Sequence, residues 1–331
     1  MGRATTTAAA LASFLWWGWT AALEAAPFAY IPNRTTANVS VIDLATNSVH
    51  GNPIPVGRGP TGVAVSPDGS RIYVTNQFDG TLSIIDAATH TTLGPAVRVG
   101  DQPFGVGVHP TGRFVYVANN ASASVSVVDT AAQPPVSTRL RVGRAPTGLV
   151  VHPDGETVYV TNSSDDTLSV IDTRSHTVRP QTVPVGRAPF GIAIHPDGSH
   201  LYVANRIDDS VSVIDTANHS PVGSPIAVQN RPFGLSVHPS GAYVYVTNNT
   251  SRSVSVIGTT RHAEFGPPIP TAHAPAGISV HPDGSQVYVT QASNALAIIE
   301  VRTHQVLETL IPVAGAPIAL GHFIGPAAPP R

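Results

Sequence analysis

The sequence predicts an all-β protein, a seven-bladed β-propeller with four antiparallel strands per blade, closed into a ring by N- and C-terminal strands that share one blade. Three observations carry this reading. First, a twelve-residue phrase recurs, clearest as VHPDGETVYVTN at Val151 to Asn162; its last residue falls at Asn33, Asn76, Asn119, Asn162, Asn205, Asn248 and Gln291, a constant step of 43 residues. Second, the runs inside each copy are short, rich in Val, Ile, Thr and Tyr, and bounded by Gly, Pro, Asp and Asn, which is the pattern of strands and tight turns. Third, no segment after residue 27 offers the ten or more breaker-free residues that a helical repeat of this length needs.

Taken in order, residues 1–26 read as a signal peptide. Arg3 precedes an apolar run from about Ala8 to Leu23, followed by small residues before Pro27, with cleavage expected near Ala22 to Ala26. The propeller is expected over 27–325. One unit, Gly62 to Gly100, divides into an inner strand GVAV, the turn SPDG, a second strand RIYVTN, a loop QFDG, a third strand TLSIID, a turn AATHT and an outer strand PAVRVG. SVSVID at Ser124 to Asp129 and Ser210 to Asp215 alternates polar and apolar residues with the period of a strand. A four-stranded unit of about 40–45 residues is the length of a WD40-like propeller blade. Each such sheet buries its faces against its neighbours, so the array must close. The chain begins at FAYIPN without an inner strand and finishes at APIALGHFIG without a YVTN strand, so Ile318 to Ile324 should complete the blade begun by Phe28 to Asn33. Residues 326–331 form a C-terminal tail.

The phrases YVTN, HPDG and SVSVID resemble the YVTN-type seven-bladed β-propeller repeat family, and the likeness covers nearly all of the chain after residue 27. That resemblance implies an exported protein, periplasmic or secreted. It does not fix a function, because the wider superfamily holds lactonase-like enzymes, amine-dehydrogenase heavy subunits and haem d1 domains.

Composition narrows the chemistry. There is no Cys, and all 18 basic residues are Arg. Thiol nucleophiles, thiolate metal ligands, disulfides and lysine Schiff bases are thereby excluded. A net charge of −2 is not the footprint of a nucleic-acid binder. No cofactor is expected: there is no C-x-x-C-H, and no histidine outside the repeated turns stands out as a haem ligand. Apart from the N-terminal segment no membrane span is expected.

The repeated polar residues read as structural. His109, His152, His195, His238 and His281 begin HPDG turns, and Ser66 takes that place once. A second series, His90, His176, His219, His262 and His304, lies in the next turn on the same face. One His per blade places them around a circle rather than on a single metal ion. The Asn of YVTN and Asp43, Asp86, Asp129, Asp172 and Asp215 are expected to cap turn backbone. The pairs Asp165–Asp166 and Asp208–Asp209 read as solvated loop charge, since no calcium loop surrounds them.

Informative positions are those where the copies disagree. The loop before the inner strand carries Arg58, Asp101, Arg144, Arg187, Asn230 with Arg231 beside it, His273 and Gly315. Just inside come Thr61, Phe104, Thr147, Phe190, Phe233, Ala276 and Ile318. Antiparallel alternation puts this loop and the loop after YVTN on one face. Arg58, Asp101, Arg144, Arg187, Arg231, His273, Phe104, Phe190 and Phe233 are therefore the candidate ligand-binding residues, and a carboxylate or phosphate is the ligand that guanidinium groups fit. On this reading replacing Arg58, Arg144 and Arg187 with Gln abolishes anion binding. The function expected is a non-enzymatic exported propeller binding a partner protein or small anionic ligand at the channel mouth. The alternatives are a lactonase-like hydrolase and a structural or accessory protein of an envelope or surface-layer complex. No catalytic residue and no metal ligand is assigned.

Overall fold

The computed structural model describes residues 27–132, 134–307 and 310–325; the expected signal segment 1–26 and tail 326–331 lie outside them. Among the described residues every regular element is a strand, and the strands form seven sheets. In blade 2 the inner strand Pro60–Val65, the second strand Arg71–Asn76, the third strand Thr81–Asp86 and the outer pieces Thr91–Thr92 and Val97–Arg98 are antiparallel neighbours. Blades 3 to 7 repeat this from inner strands Pro103–Val108, Pro146–Val151, Pro189–Ile194, Pro232–Val237 and Pro275–Val280. The outer strand is continuous in blade 1 (Ser48–Pro55) and blade 3 (Val136–Arg141) and broken in two elsewhere.

Blade 1 closes the ring as expected. Its second strand, Phe28–Asn33, is flanked on the inner side by the end of the chain: Tyr30 N donates to Phe323 O at 2.9 Å, Ile318 N to Pro32 O at 3.1 Å and Gly325 N to Phe28 O at 3.1 Å. One detail departs from the repeat of the other blades. Ala29 faces Ile324 while Asn33 faces Pro317, whereas in blade 2 Ile72 faces Val65 while Asn76 faces Pro60. The closing segment thus carries two residues more over the same span. Gly321 and His322 bulge out of line, and Phe323 takes the place opposite Tyr30.

The core lies between blades. Ala64, Tyr73, Leu82 and Ile84 of blade 2 interdigitate with Val106, Val115, Val117 and Val128 of blade 3, and equivalent layers follow around the ring. Blade 1 is packed between blade 7 (Tyr288, Leu296, Ile298) and blade 2 (Val63, Ile72, Val74) through Ile31, Ile42, Phe323 and Ile324. Second and third strands are buried on both faces, so the second strands read as nearly continuous Val, Ile and Tyr runs while the third strands alternate these with small buried Ser.

The repeated phrase supplies the joints between these layers. Nε2 of His109, His152, His195 and His238 donates to the carbonyl of Gly155, Gly198, Gly241 and Gly284 in the following blade, at 2.9 to 3.1 Å. The HPDG histidines are structural as expected, and their larger role is to tie one blade to the next. The second series does the same from the outer turns: the hydroxyls of Tyr116, Tyr159 and Tyr202 lie 3.5, 3.2 and 3.3 Å from Nδ1 of His176, His219 and His262. The aspartates cap turns as expected, Asp86 Oδ1 accepting from the N–H groups of Ala88 and Thr89. The asparagines do more than cap backbone: Asn119 and Asn205 Oδ1 accept from the loop N–H groups of Gly100 (3.0 Å) and Gly186 (3.1 Å), while the amide nitrogens bond the third strand. Asn76 is fully buried and its amide donates to Thr81 Oγ1 (3.0 Å) and Ser83 Oγ (2.9 Å) on the third strand, a polar node inside the sheet rather than a turn cap. A Cβ on Gly57 would lie 2.6 Å from Asn76 Cγ, so in blade 2 the loop before the inner strand passes close over the node as glycine.

Candidate functional site: the arginine-bearing mouth and the channel

The loops before the inner strands and the loops after the second strands do share one face, joined by bonds such as Gln77 N to Gly59 O (3.0 Å) and Phe78 N to Arg58 O (3.1 Å). On the rim, three expected site residues behave alike. Asp79 accepts from Arg58 N and Arg58 Nε, both at 2.7 Å. Asp165 accepts from Arg144 in the same way at 2.5 Å, and Asp208 from Arg187 at 2.6 and 2.5 Å. These guanidinium side chains are 75, 74 and 65% exposed, and each is bonded to a carboxylate of its own blade. The arginine backbone N–H, then its guanidinium, holds all three carboxyls below their usual range. The second members of the acidic pairs also have employment: Asp166 accepts from Ala188 N and Asp209 from Arg231 N, each at 2.8 Å, across to the next blade.

The other candidates divide. Asp101 donates its backbone N–H to Ser122 Oγ (2.9 Å) and His273 its own to Gln291 Oε1 (3.0 Å), and both side chains are exposed. Phe104, Phe190 and Phe233 converge with Ile318, Leu320 and Ala276 in an apolar plug across the channel at this face. Phe190 and Phe233 are 4.4 Å apart between ring centroids, and Phe104 meets Phe190 edge-on at 6.2 Å.

On this plug sits a residue the sequence reading passed over. Arg206 follows Asn205 at the end of a second strand, and its guanidinium carbon lies 5.3 Å from the Phe190 ring centroid and 5.5 Å from that of Phe233. Its Nε is enclosed without a hydrogen-bond partner among the described residues, and no carboxylate pairs with it there. Burial first, and the neighbouring charge of Arg231 second, lower its pKa. Such a cation is solvated by two ring faces and one side of open solvent. Arg34, at the same repeat position in blade 1, stacks 5.2 Å from Phe78 but donates to Gln77 Oε1 at 2.8 Å. The position was readable in sequence: Arg34, Gln77, Asn120, Ser163, Arg206, Asn249 and Ala292 vary where the strand before them does not.

Below the plug the channel continues as a cavity of about 330 Å³, lined by inner-strand residues of several blades, among them Gly107, Leu149, Ala193 and Ser236. His322, in the closing bulge, faces this lumen with Nδ1 3.1 Å from Ser279 Oγ. The sequence reading did not single out this histidine; desolvation lowers its pKa. Among the described residues no three His, Asp or Glu side chains gather as a metal cluster, and no helix is long and apolar enough to cross a membrane.

Comparison with known proteins agrees with this architecture. Residues 130–266 match the family model "Lactonase, 7-bladed beta-propeller", and residues 19–113 match "YNCE-like beta-propeller". No curated protein matches the chain. Similar solved structures include hydrazine synthase of Kuenenia stuttgartiensis, at 25% identity and a TM-score of 0.72 over 79% of this chain and 88% of that one. A functionally unknown protein of Desulfotomaculum acetoxidans aligns at 17% identity and TM-score 0.77, over 89% of this chain and 99% of the other. A candidate 6-phosphogluconolactonase of Bacteroides fragilis aligns at 16% identity and TM-score 0.76, over 90% of this chain and 98% of its own. Both family models support a seven-bladed propeller family, and the solved structures share the fold.

Proposed function

We propose that the chain is an exported, non-enzymatic propeller of the YVTN type that binds an anionic group, on a small ligand or a partner protein, at Arg206 on the phenylalanine plug. One observation carries this: Arg206 is a half-buried guanidinium stacked on Phe190 and Phe233, with an enclosed Nε and no bonded carboxylate. Removing a cation from water is unfavourable unless an anion or a dipole replaces the lost hydration. A carboxylate or phosphate laid against the open side would take paired N–H donors from its planar fork, with Arg231 adding charge from the next blade. Phenyl phosphate is a suitable probe because its ring can extend the Phe190–Phe233 stack. By titration calorimetry, Arg206→Gln is expected to weaken phenyl phosphate binding more than tenfold, leaving thermal stability nearly unchanged. Equal affinity in that variant, or no binding by the parent protein, overturns the proposal.

A second reading, a lactonase-like hydrolase, is favoured by the match to the lactonase model, whose span 130–266 contains Phe190, Arg206 and Phe233. A phosphorylated sugar lactone, the substrate class in the name of the Bacteroides neighbour, would seat its phosphate on the same arginine. The discriminating measurement is turnover of a lactone panel that includes 6-phosphogluconolactone; hydrolysis lost in Arg206→Gln selects the enzyme.

A further inference from the structure

The lumen beneath the plug is chemically unlike the arginine-bearing mouth. It is blind at one end, where Phe104, Phe190, Phe233, Ile318 and Leu320 meet. Its walls extend toward the opposite face, where Val65, Val108, Val151, Ile194 and Val237 precede the HPDG turns. No Asp, Glu or Arg lines it; its polar groups are Ser236, His322 and the backbone. The inner strands are sheet edges, so their unpaired N–H and C=O groups turn toward the lumen.

His322 is placed there by a specific device. The two-residue bulge lifts it out of the strand, and Gly321, at φ 108°, lets the bulge cross close to blade 2; a Cβ on Gly321 would lie 2.6 Å from Val63 O. Val63 N–H donates to Leu320 O at 3.0 Å and Leu320 N–H to Thr61 O at 3.1 Å, anchoring the near side of the bulge. Ser279 Oγ, 3.1 Å from Nδ1, fixes the ring, whose Nε2 has no hydrogen-bond partner among the described residues. Other blades carry aliphatic or small residues along this stretch, so the imidazole breaks the repeat at one point of the circle. A concave, mostly apolar pocket near 300 Å³ or more with one convergent polar group is the general form of a small-molecule site.

We propose that this blind lumen is a second ligand site, for a small neutral molecule with an apolar body and one hydroxyl, which bonds to His322 Nε2. Charged ligands are disfavoured in it, because no charged side chain among the described lining residues pairs an ion withdrawn from water. The site is thereby complementary to the arginine-bearing mouth, which takes anions.

The test uses 1-naphthol, neutral below its phenolic pKa, followed by its fluorescence on addition of the full chain at pH 7, with 1-naphthalenesulfonate as the charged control. The parent protein is expected to bind naphthol saturably with one site. His322→Val should weaken binding about tenfold. Ala193→Phe, which fills the lumen from the blade 5 wall, should abolish it, and Arg206→Gln should leave it unchanged. Melting curves confirm that each variant is folded. The proposal fails if the folded parent protein does not bind naphthol, meaning that the lumen holds water only. It fails equally if Ala193→Phe binds as well as the parent, or if the sulfonate competes for the same site.

Discussion

The two faces of the ring are made from one repeat and use it differently. On the face that bears the HPDG turns, the repeated side chains reach between blades: histidine to glycine carbonyl from the inner turns, tyrosine to histidine at the outer ones. On the arginine-bearing face, repeated ion pairs stay within a blade, as in Arg58 with Asp79, and the position after the second strand varies freely. A residue that recurs in every blade answers a need that every blade has, which is to hold its neighbour. Chemistry directed at one ligand has to come from positions that break the repeat: His322 occurs once, and Arg206 stacks on Phe190 and Phe233 where Arg34, at the same repeat position, is bonded to Gln77. The comparison is tested by perturbing each class in turn.

The largest effect should come from the joint that closes the circle. Truncation after Pro317 removes Leu320, Phe323 and Ile324, all buried. At about 1.5–3 kcal/mol per buried side chain, that is about 5–9 kcal/mol, comparable to the whole stability of a typical domain. The shortened chain is expected to lose its cooperative unfolding transition in urea. A truncated protein with a parent-like midpoint would show that the seven sheets hold together without closure.

Much of this was legible in the sequence because each blade is a local unit. The constant spacing located second strands, and the Asp-capped turns follow from side chains bonding backbone two or three residues ahead. What was not legible depends on partners brought near by the curl of the blade. Asn76 looked like a turn residue because it ends a strand, yet the glycine pressed against it is Gly57 from the preceding loop. His322 was hidden because Pro317 to Gly321 keeps the spacing of Pro60 to Ala64, and the two-residue bulge emerges only in pairing with Ala29. Arg206 was overlooked for a different reason, since the rim arginines drew attention to the loop before the inner strand. Their aspartate partners lie 21 residues downstream, where the sequence shows only loop charge.

A smaller effect should appear with pH, chiefly on the histidine-bearing face. His90, His176, His219, His262 and His304 all have pKa values lowered first by burial. His50, His109, Arg179 and His200 add like-charge repulsion to the first four, and Asp86, Asp172 and Asp215 oppose it only in part. The unfolded chain takes up protons near the ordinary imidazole value of about 6.5, the folded chain only below it. Between those values the unfolded state binds more protons, so stability is full above about 6.5 and declines as pH falls. Blade 1 shows how to remove the effect without removing the joint: Asn47 occupies the same left-handed position at φ 50° and accepts from Tyr288 at 2.6 Å. Combined His176→Asn, His219→Asn and His262→Asn should flatten the fall in melting temperature between pH 8 and pH 5, with little change at pH 8. An unaltered slope would mean that these imidazoles do not titrate differently on folding.

The smallest effect is expected where the sequence alone points to the largest. Arg58→Gln, Arg144→Gln and Arg187→Gln together remove three guanidinium groups from the rim, but each is more than half exposed and engaged with one carboxylate. Exposed pairs of this kind contribute about 0–1 kcal/mol each. The backbone N–H bond from the same residue to the same aspartate survives the substitution and keeps the loop in place. Phenyl phosphate affinity in the triple variant should therefore stay within about twofold of the parent, while Arg206→Gln alone removes it. The freed carboxylates of Asp79, Asp165 and Asp208 would, if anything, repel an anion, so any loss should be modest and should shrink with added salt. Should the triple variant lose binding while Arg206→Gln keeps it, the anion sits on the rim and exchanges with the aspartates for its arginines. The variable position after the second strand would then be as structural as the repeats around it.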